Sequence, residues 1–200
     1  MANLQYFNED GIEYFTFTIP DFKEEIRKEM DFLQYFFQFS KDQGGGQNAD
    51  GSAKNANNVM FIEDIFAPPL YQFTRVYQET AKVLQELNEY CATHLEAKHS
   101  AMADLGNGFH WKTLLSGYKD GGKYDLHRDS AIASCVWWVG DNYQGGNIYF
   151  PDLELEFESK EFTGIVFPSF YRHIVRDIKS EEKDKFIRYT ISGFLNYFYE

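Results

Sequence analysis

A chain of 200 residues, 44 % of them apolar and 18 % aromatic, has the make-up of one globular domain with a sizeable core, which excludes intrinsic disorder. Its formal charge of −12, with 31 acids against 19 bases and no clustered Lys or Arg, runs against a nucleic-acid partner, whose phosphates call for a basic surface. Cys91 and Cys135 form neither a disulfide framework nor a CxxC motif and are expected as buried free thiols, and no apolar run reaches the roughly 18 to 20 residues that span a bilayer.

Met1 to Asp10 lacks a basic stretch followed by an apolar one, so no secretory leader is expected, and the expected compartment is a reducing cytoplasm. The first predicted helix runs from about Asp21 to Phe39, with Phe22, Ile26, Met30, Leu33 and Phe36 at helical spacing. Asp21 after Pro20 is its expected N-cap, with Glu24 completing an acidic capping-box pattern. Lys41 to Asn58, rich in Gly, Asn, Asp and Ser, buries too little surface to order and is expected to be a mobile surface loop rather than an active-site lid. A second predicted helix spans about Leu70 to Ala97, with Phe73, Val76, Tyr77, Leu84, Leu87 and Cys91 in its apolar stripe.

Near residue 105 the pattern changes to short strands separated by turns. Phe109 to Tyr118, Ile132 to Val139, Asn147 to Phe150, Leu153 to Glu158, Thr163 to Phe167, His173 to Ile178 and Lys185 to Tyr199 are the predicted strands. Leu153, Leu155 and Phe157 alternate with Glu154, Glu156 and Glu158, a strand with one wet face. Gly121-Gly122, Gly140-Asp141-Asn142 and Gly145-Gly146 are turn signals. Residues 1–200 therefore read as one domain: residues 1–104 a mostly helical support, and residues 105–200 a sandwich, jelly roll or barrel.

The chemistry concentrates in Tyr118-Lys-Asp-Gly-Gly-Lys-Tyr124-Asp-Leu-His127-Arg-Asp129. On an extended chain, side chains two apart share a face, so His127 and Asp129 can meet one ion while Leu126 and Arg128 point away. His173, after the turn Phe167-Pro168-Ser169-Phe170-Tyr171, is the candidate third ligand. Two imidazoles and one carboxylate on one face of an octahedron leave positions open and point to non-haem Fe(II) oxygenases. His94, His99 and His110 have no partners at useful spacing and are expected to be surface or structural. Further on, alternation in Phe186-Ile-Arg188-Tyr-Thr190-Ile-Ser192 puts Arg188, Thr190 and Ser192 on one face of a core strand. A guanidinium there needs a counter-charge, either an Asp or Glu of the protein or a bound dicarboxylate that it grips bidentately. Beside a metal set the dicarboxylate is the reading taken, with Thr190 adding a hydroxyl.

About residues 109–198 resemble the 2-oxoglutarate/Fe(II) oxygenase superfamily, specifically its prolyl 4-hydroxylase-like branch. The matching pieces, in family order, are Tyr118…Tyr124-Asp-Leu-His127-Arg-Asp129, Gln144-Gly145-Gly146-Asn147-Ile-Tyr-Phe150-Pro151, Gly164-Ile-Val-Phe167-Pro168, His173-Ile-Val175 and Arg188-Tyr189-Thr190. The resemblance implies a mainly β fold with flanking helices around a double-stranded β-helix, or jelly roll. It implies Fe(II) held by His127, Asp129 and His173, with 2-oxoglutarate and O2 as co-substrates and ascorbate as a supporting reductant. It also implies a salt bridge from Arg188 to the distal carboxylate of 2-oxoglutarate, with Tyr118 as a hydrogen-bonding neighbour. The implied activity is hydroxylation of a C–H bond, by analogy on a prolyl residue of a peptide or protein; a free amino acid or other small molecule is the alternative. Trp137 or Trp138 and Tyr149 are candidate walls of the site.

Three departures stand out: Val136-Trp137-Trp138-Val139 in place of the family's usual features, Gly-Gly-Asn in place of Gly-Gly-Glu, and a longer interval from His173 to Arg188 that reads as a longer hairpin. Two other classes compete on the same residues. One is a non-oxidative metal- or ligand-binding jelly roll, which has no need of Arg188. The other is a zinc hydrolase, for which Asp125 is a poorly placed general base.

Overall fold

The computed structural model describes residues 2–38, 58–66, 69–94, 96–97, 100, 102 and 111–195. The chain opens with a hairpin, β1 (Gln5–Glu9) and β2 (Ile12–Thr18), in a stretch without a predicted element. Its turn is Asp10-Gly11, both at positive φ (52° and 81°), the backbone that closes a two-residue hairpin with the right twist. Helix α1 (Lys23–Leu33) follows and buries Ile26, Met30 and Leu33, three rungs of the predicted stripe. Asp21 does not cap it. Phe22 holds that position in a left-handed conformation (φ 57°) with no side-chain hydrogen bond, and α1 ends in a 3-10 turn over Gln34–Gln38. The predicted 41–58 loop lies outside the described residues except for Asn58, which opens β3 (Asn58–Phe61), itself followed by the short helix α2 (Ile62–Ile65).

The second predicted helix is divided at its start. Leu70–Phe73 form a separate 3-10 turn, Thr74 is extended, and α3 runs Arg75–Thr93. Thr74 Oγ1 accepts from the Tyr77 N–H at 3.3 Å. The Glu29 carboxylate of α1 accepts from the N–H groups of Arg75 (2.9 Å) and Val76 (2.7 Å), so one helix caps the next. Burial raises the Glu29 pKa and those two donors pull it back. Glu29→Ala is expected to destabilise the protein by about 1–2 kcal/mol, in the range of a lost helix cap. Urea unfolding checks it: the midpoint should fall at unchanged slope.

The remaining strands are β4 (Trp111–Tyr118), β5 (Tyr124–His127), β6 (Ala133–Val139), β7 (Gln144–Gly145), β8 (Ile148–Phe150), β9 (Leu155–Phe157), β10 (Thr163–Pro168), β11 (His173–Val175), β12 (Ile178–Lys179) and β13 (Arg188–Leu195). They build a seven-stranded sheet, β1-β2-β10-β6-β13-β4-β3, facing a four-stranded sheet, β5-β11-β8-β9, with β12 and β7 paired beside them. This is a jelly roll flanked by helices. Residues 1–104, read as mostly helical, thus also supply β1, β2 and β3 to the large sheet. Leu153 and Glu154 fall outside β9 because Glu154 sits at φ 53°, which breaks the extended chain.

Period-two alternation assigns the two faces of the large sheet. From β6 and β13, Cys135, Trp137, Val139, Tyr189, Ile191 and Leu195 pack with Ile26, Met30, Val83, Leu84 and Leu87 of the helices. From β6 and β10, Val136, Trp138, Ile165 and Phe167 pack against Ile148 and Phe150 of the small sheet. Both faces are covered, which is why these strands read as near-continuous apolar runs. Trp137 belongs to the helical side, where its Nε1 donates to Thr80 Oγ1 of α3 at 3.0 Å. It therefore does not wall the space between the sheets. Tyr149 does not either: its neighbours Ile148 and Phe150 point inward, while its own ring carries the Arg176 guanidinium at 4.3 Å on the outer side. Both cysteines are free and buried.

Candidate metal and carboxylate site

Strands β5 and β11 lie antiparallel with His127 directly opposite His173. That pairing brings the two imidazoles together, with ring centroids 4.2 Å apart. Asp129 follows β5 and is pinned by its N–H donating to the Ser169 carbonyl at 3.1 Å. Its Oδ1 lies 3.6 Å from His127 Nε2 and its Oδ2 3.8 Å from His173 Nε2. One ligand atom from each of the three residues falls within 4.8 Å of the others, and this is the metal-binding constellation found among the described residues.

Each imidazole is held in one tautomer. His127 Nδ1 contacts the Asp125 carbonyl at 2.8 Å and His173 Nδ1 the Tyr171 carbonyl at 3.0 Å. A carbonyl only accepts, so each Nδ1 carries the proton and each Nε2 presents a lone pair to the cluster. His173 is buried between the rings of Phe167 and Phe150, and His127 rests against Tyr124. Leu126 and Arg128 point to solvent, as the alternation predicts.

Burial, and after it the neighbouring His173, lower the His127 pKa from 6.5 to about 4, so that imidazole is neutral over the whole physiological range. In the metal-free protein the unfolded chain takes up this proton first. Stability from this group is complete above pH 6.5, falls with pH toward 4 and then levels, a loss of about 3 kcal/mol. Denaturant midpoints measured across that window should drop more steeply for the wild type than for His127→Gln.

Arg188 opens β13 opposite Tyr118 of β4 and is fully buried. Its Nη1 donates to the Gly146 carbonyl and to Ser159 Oγ (3.4 Å), and its Nη2 donates to Thr190 Oγ1 at 2.7 Å. The guanidinium lies 4.6 Å over the Tyr118 ring and 5.9 Å from that of Tyr143. No carboxylate among the described residues pairs with it, and its Nε is buried without a hydrogen-bond partner. The internal-carboxylate reading of Arg188 thus has no partner among the described residues. Burial lowers the Arg188 pKa, and the same burial raises that of Tyr118, which stays a neutral phenol. Thr190 accepts from the arginine, and its hydroxyl also hydrogen-bonds with the Tyr118 phenol.

The longer interval between His173 and Arg188 is taken up by β12, whose Ile178 exchanges hydrogen bonds with Gly121 and Gly122. Sequence reasoning missed the Arg188 cradle. Gly146, read as a turn, has φ 70°, and a Cβ there would collide with Arg188 Nη1; Tyr143 and Ser159 carry no sequence signal of this role. His94 stacks on Tyr90 at the surface, away from the cluster, while His99 and His110 lie outside the described residues.

Solved structures share this architecture. A Pseudomonas putida prolyl-4-hydroxylase superposes with a TM-score of 0.62 at 14 % identity over 93 % of each chain. The chain has the fold of the 2OG-Fe(II) oxygenases. A viral collagen prolyl hydroxylase from Paramecium bursaria Chlorella virus-1, solved as a 2OG complex, gives 0.58 at 14 % identity over 92 % of this chain and 96 % of that one. NgTET1 in complex with 5mC DNA gives 0.53 at 12 % identity over 94 % and 74 %. The amino-acid sequence itself matches no protein-family model and no curated protein.

Proposed function

We propose that this protein is an Fe(II)- and 2-oxoglutarate-dependent dioxygenase that hydroxylates a C–H bond, with a prolyl residue of a peptide or protein as its target. The observation that carries the reading is a fully buried arginine whose Nε has no hydrogen-bond partner among the described residues, inside the same jelly roll as a His-Asp-His cluster. A zinc hydrolase or a plain ligand-binding barrel has no use for that uncompensated cation; a dicarboxylate co-substrate does.

His127 Nε2, Asp129 and His173 Nε2 would hold the iron, and the fixed Nδ1 protons keep both imidazoles aimed at it. Bound iron would supply dioxygen activation coupled to the oxidative decarboxylation of 2-oxoglutarate. Arg188 would receive the distal carboxylate through its Nε edge, Thr190 would donate its hydroxyl proton to it, and the Tyr118 phenol would be its neighbour. Trp138, Phe150 and Phe167 fill the space between the sheets and would keep water from the reacting centre. Ascorbate is proposed as the reductant that keeps the iron ferrous.

The prolyl target rests on the shared fold with the bacterial and viral prolyl hydroxylases. The net charge of −12 disfavours nucleic acid, although NgTET1 places the same fold on DNA. No helix among the described residues is long and apolar enough to cross a membrane. The test is anaerobic reconstitution with Fe(II) and 2-oxoglutarate, followed by oxygen and proline-containing peptides. A visible chelate band and peptide-dependent succinate release are expected. No band sinks the oxygenase reading; a band with succinate released only by a free amino acid or other small molecule moves the target to that class.

A further inference from the structure

The carboxylate of Asp129 has a buried support that the ligand cluster does not account for. Ser134 Oγ, on β6, lies 2.5 Å from Asp129 Oδ2 and 2.7 Å from Ser169 Oγ. Both serines are completely buried. The direction of these hydrogen bonds follows from counting protons. A carboxylate only accepts, so Ser134 spends its one proton on Asp129, and its oxygen must then accept from Ser169. The order is Ser169 to Ser134 to Asp129. Ser169 also ties the two ligand-bearing segments through its backbone: its carbonyl accepts from the Asp129 N–H and its N–H donates to the Ile132 carbonyl. Asp129 Oδ1 receives no hydrogen bond among the described residues.

We infer that Ser134 is a positioning residue for Asp129: it occupies Oδ2 and leaves Oδ1 as the single oxygen offered to the metal, with Ser169 oriented behind it to strengthen that hydrogen bond. This rests on the reading of His127, Asp129 and His173 as metal ligands. Partners outside the ligand set orient ligands in just this way, and losing one typically weakens metal binding about 10–100-fold.

Co(II) titration of the full-length protein tests it, because cobalt reports both affinity and coordination geometry through its visible spectrum. Ser134→Ala should weaken Co(II) binding about 10–100-fold and alter the shape of the band, since Asp129 is then free to present both oxygens. Ser169→Ala should weaken binding less, and the double variant should bind like Ser134→Ala alone, because the contribution of Ser169 passes through Ser134. Ser134→Cys, nearly isosteric and a poor donor, should show the same change of band with folding preserved. Wild-type affinity and spectrum in Ser134→Cys, or additive losses in the double variant, would overturn the inference. Wild-type protein that binds no Co(II) overturns the ligand reading itself, and the inference with it.

Discussion

Asp129→Ala is expected to abolish the Fe(II)–2-oxoglutarate chelate band at concentrations that saturate the wild type. It should also lower metal affinity by at least about a hundredfold, because loss of a partner outside the ligand set alone costs roughly 10–100-fold. Asp129 is the one carboxylate of the cluster among the described residues, so no second anion among them stands ready to replace it. Succinate release should fall to background. This variant is a cleaner probe than His173→Ala, whose ring fills space between Phe167 and Phe150 and whose loss would leave a cavity. Anaerobic titration with Fe(II), followed at the chelate band, is the measurement, and an undiminished band in Asp129→Ala would remove this residue from the ligand set.

Arg188→Met should move stability and co-substrate binding in opposite directions. In the free protein the guanidinium is buried with no carboxylate partner among the described residues, and its Nε is unsatisfied. Replacing a poorly compensated buried charge with an apolar side chain of similar length commonly stabilises by about 1–4 kcal/mol, so the metal-free variant should melt higher than the wild type. Its affinity for 2-oxoglutarate should fall by roughly 30- to 5,000-fold, the equivalent of the 2–5 kcal/mol seen when one partner of a buried charge pair is truncated. For the wild type, 2-oxoglutarate at about a hundred times its Kd should add about 2.7 kcal/mol. In a domain of this size that is a rise in Tm of roughly 5–10 °C. Paired melts with and without 2-oxoglutarate decide the matter. A variant that melts lower than the wild type and is still stabilised by the dicarboxylate would mean that Arg188 is structural.

Much of the candidate site's geometry was legible because strand periodicity is local. His127 and Asp129 share a face, with Leu126 and Arg128 turned away, and that placement needs no tertiary information. The alternation that sets Arg188 and Thr190 apart from Tyr189 and Ile191 is of the same kind. The β1–β2 hairpin was also within reach: Asp10-Gly11 between alternating apolar residues is a strong hairpin signal. The failed Asp21 cap and the divided second helix have a different origin. Phe22 in a left-handed conformation and Glu29 donated across from α1 are settled by how the helices dock, and neither leaves a trace in local composition.

By itself the sequence determined the chemistry on offer: which imidazoles and which guanidinium occur on strands with the parity to face inward, and which carboxylate follows two residues after the first imidazole. Only the tertiary structure decided that the two imidazoles and the carboxylate meet. Opposing His127 to His173 is a matter of register between strands far apart in the chain, and a one-residue slip would turn one of them outward. The partners that fix the cluster, the Asp125 and Tyr171 carbonyls, Ser134 with Ser169, and the Gly146 carbonyl under Arg188, are likewise set by the approach of distant segments. So is the side of the sheet that each tryptophan of the Trp137-Trp138 pair serves, because parity separates two faces but only packing says which one the helices cover.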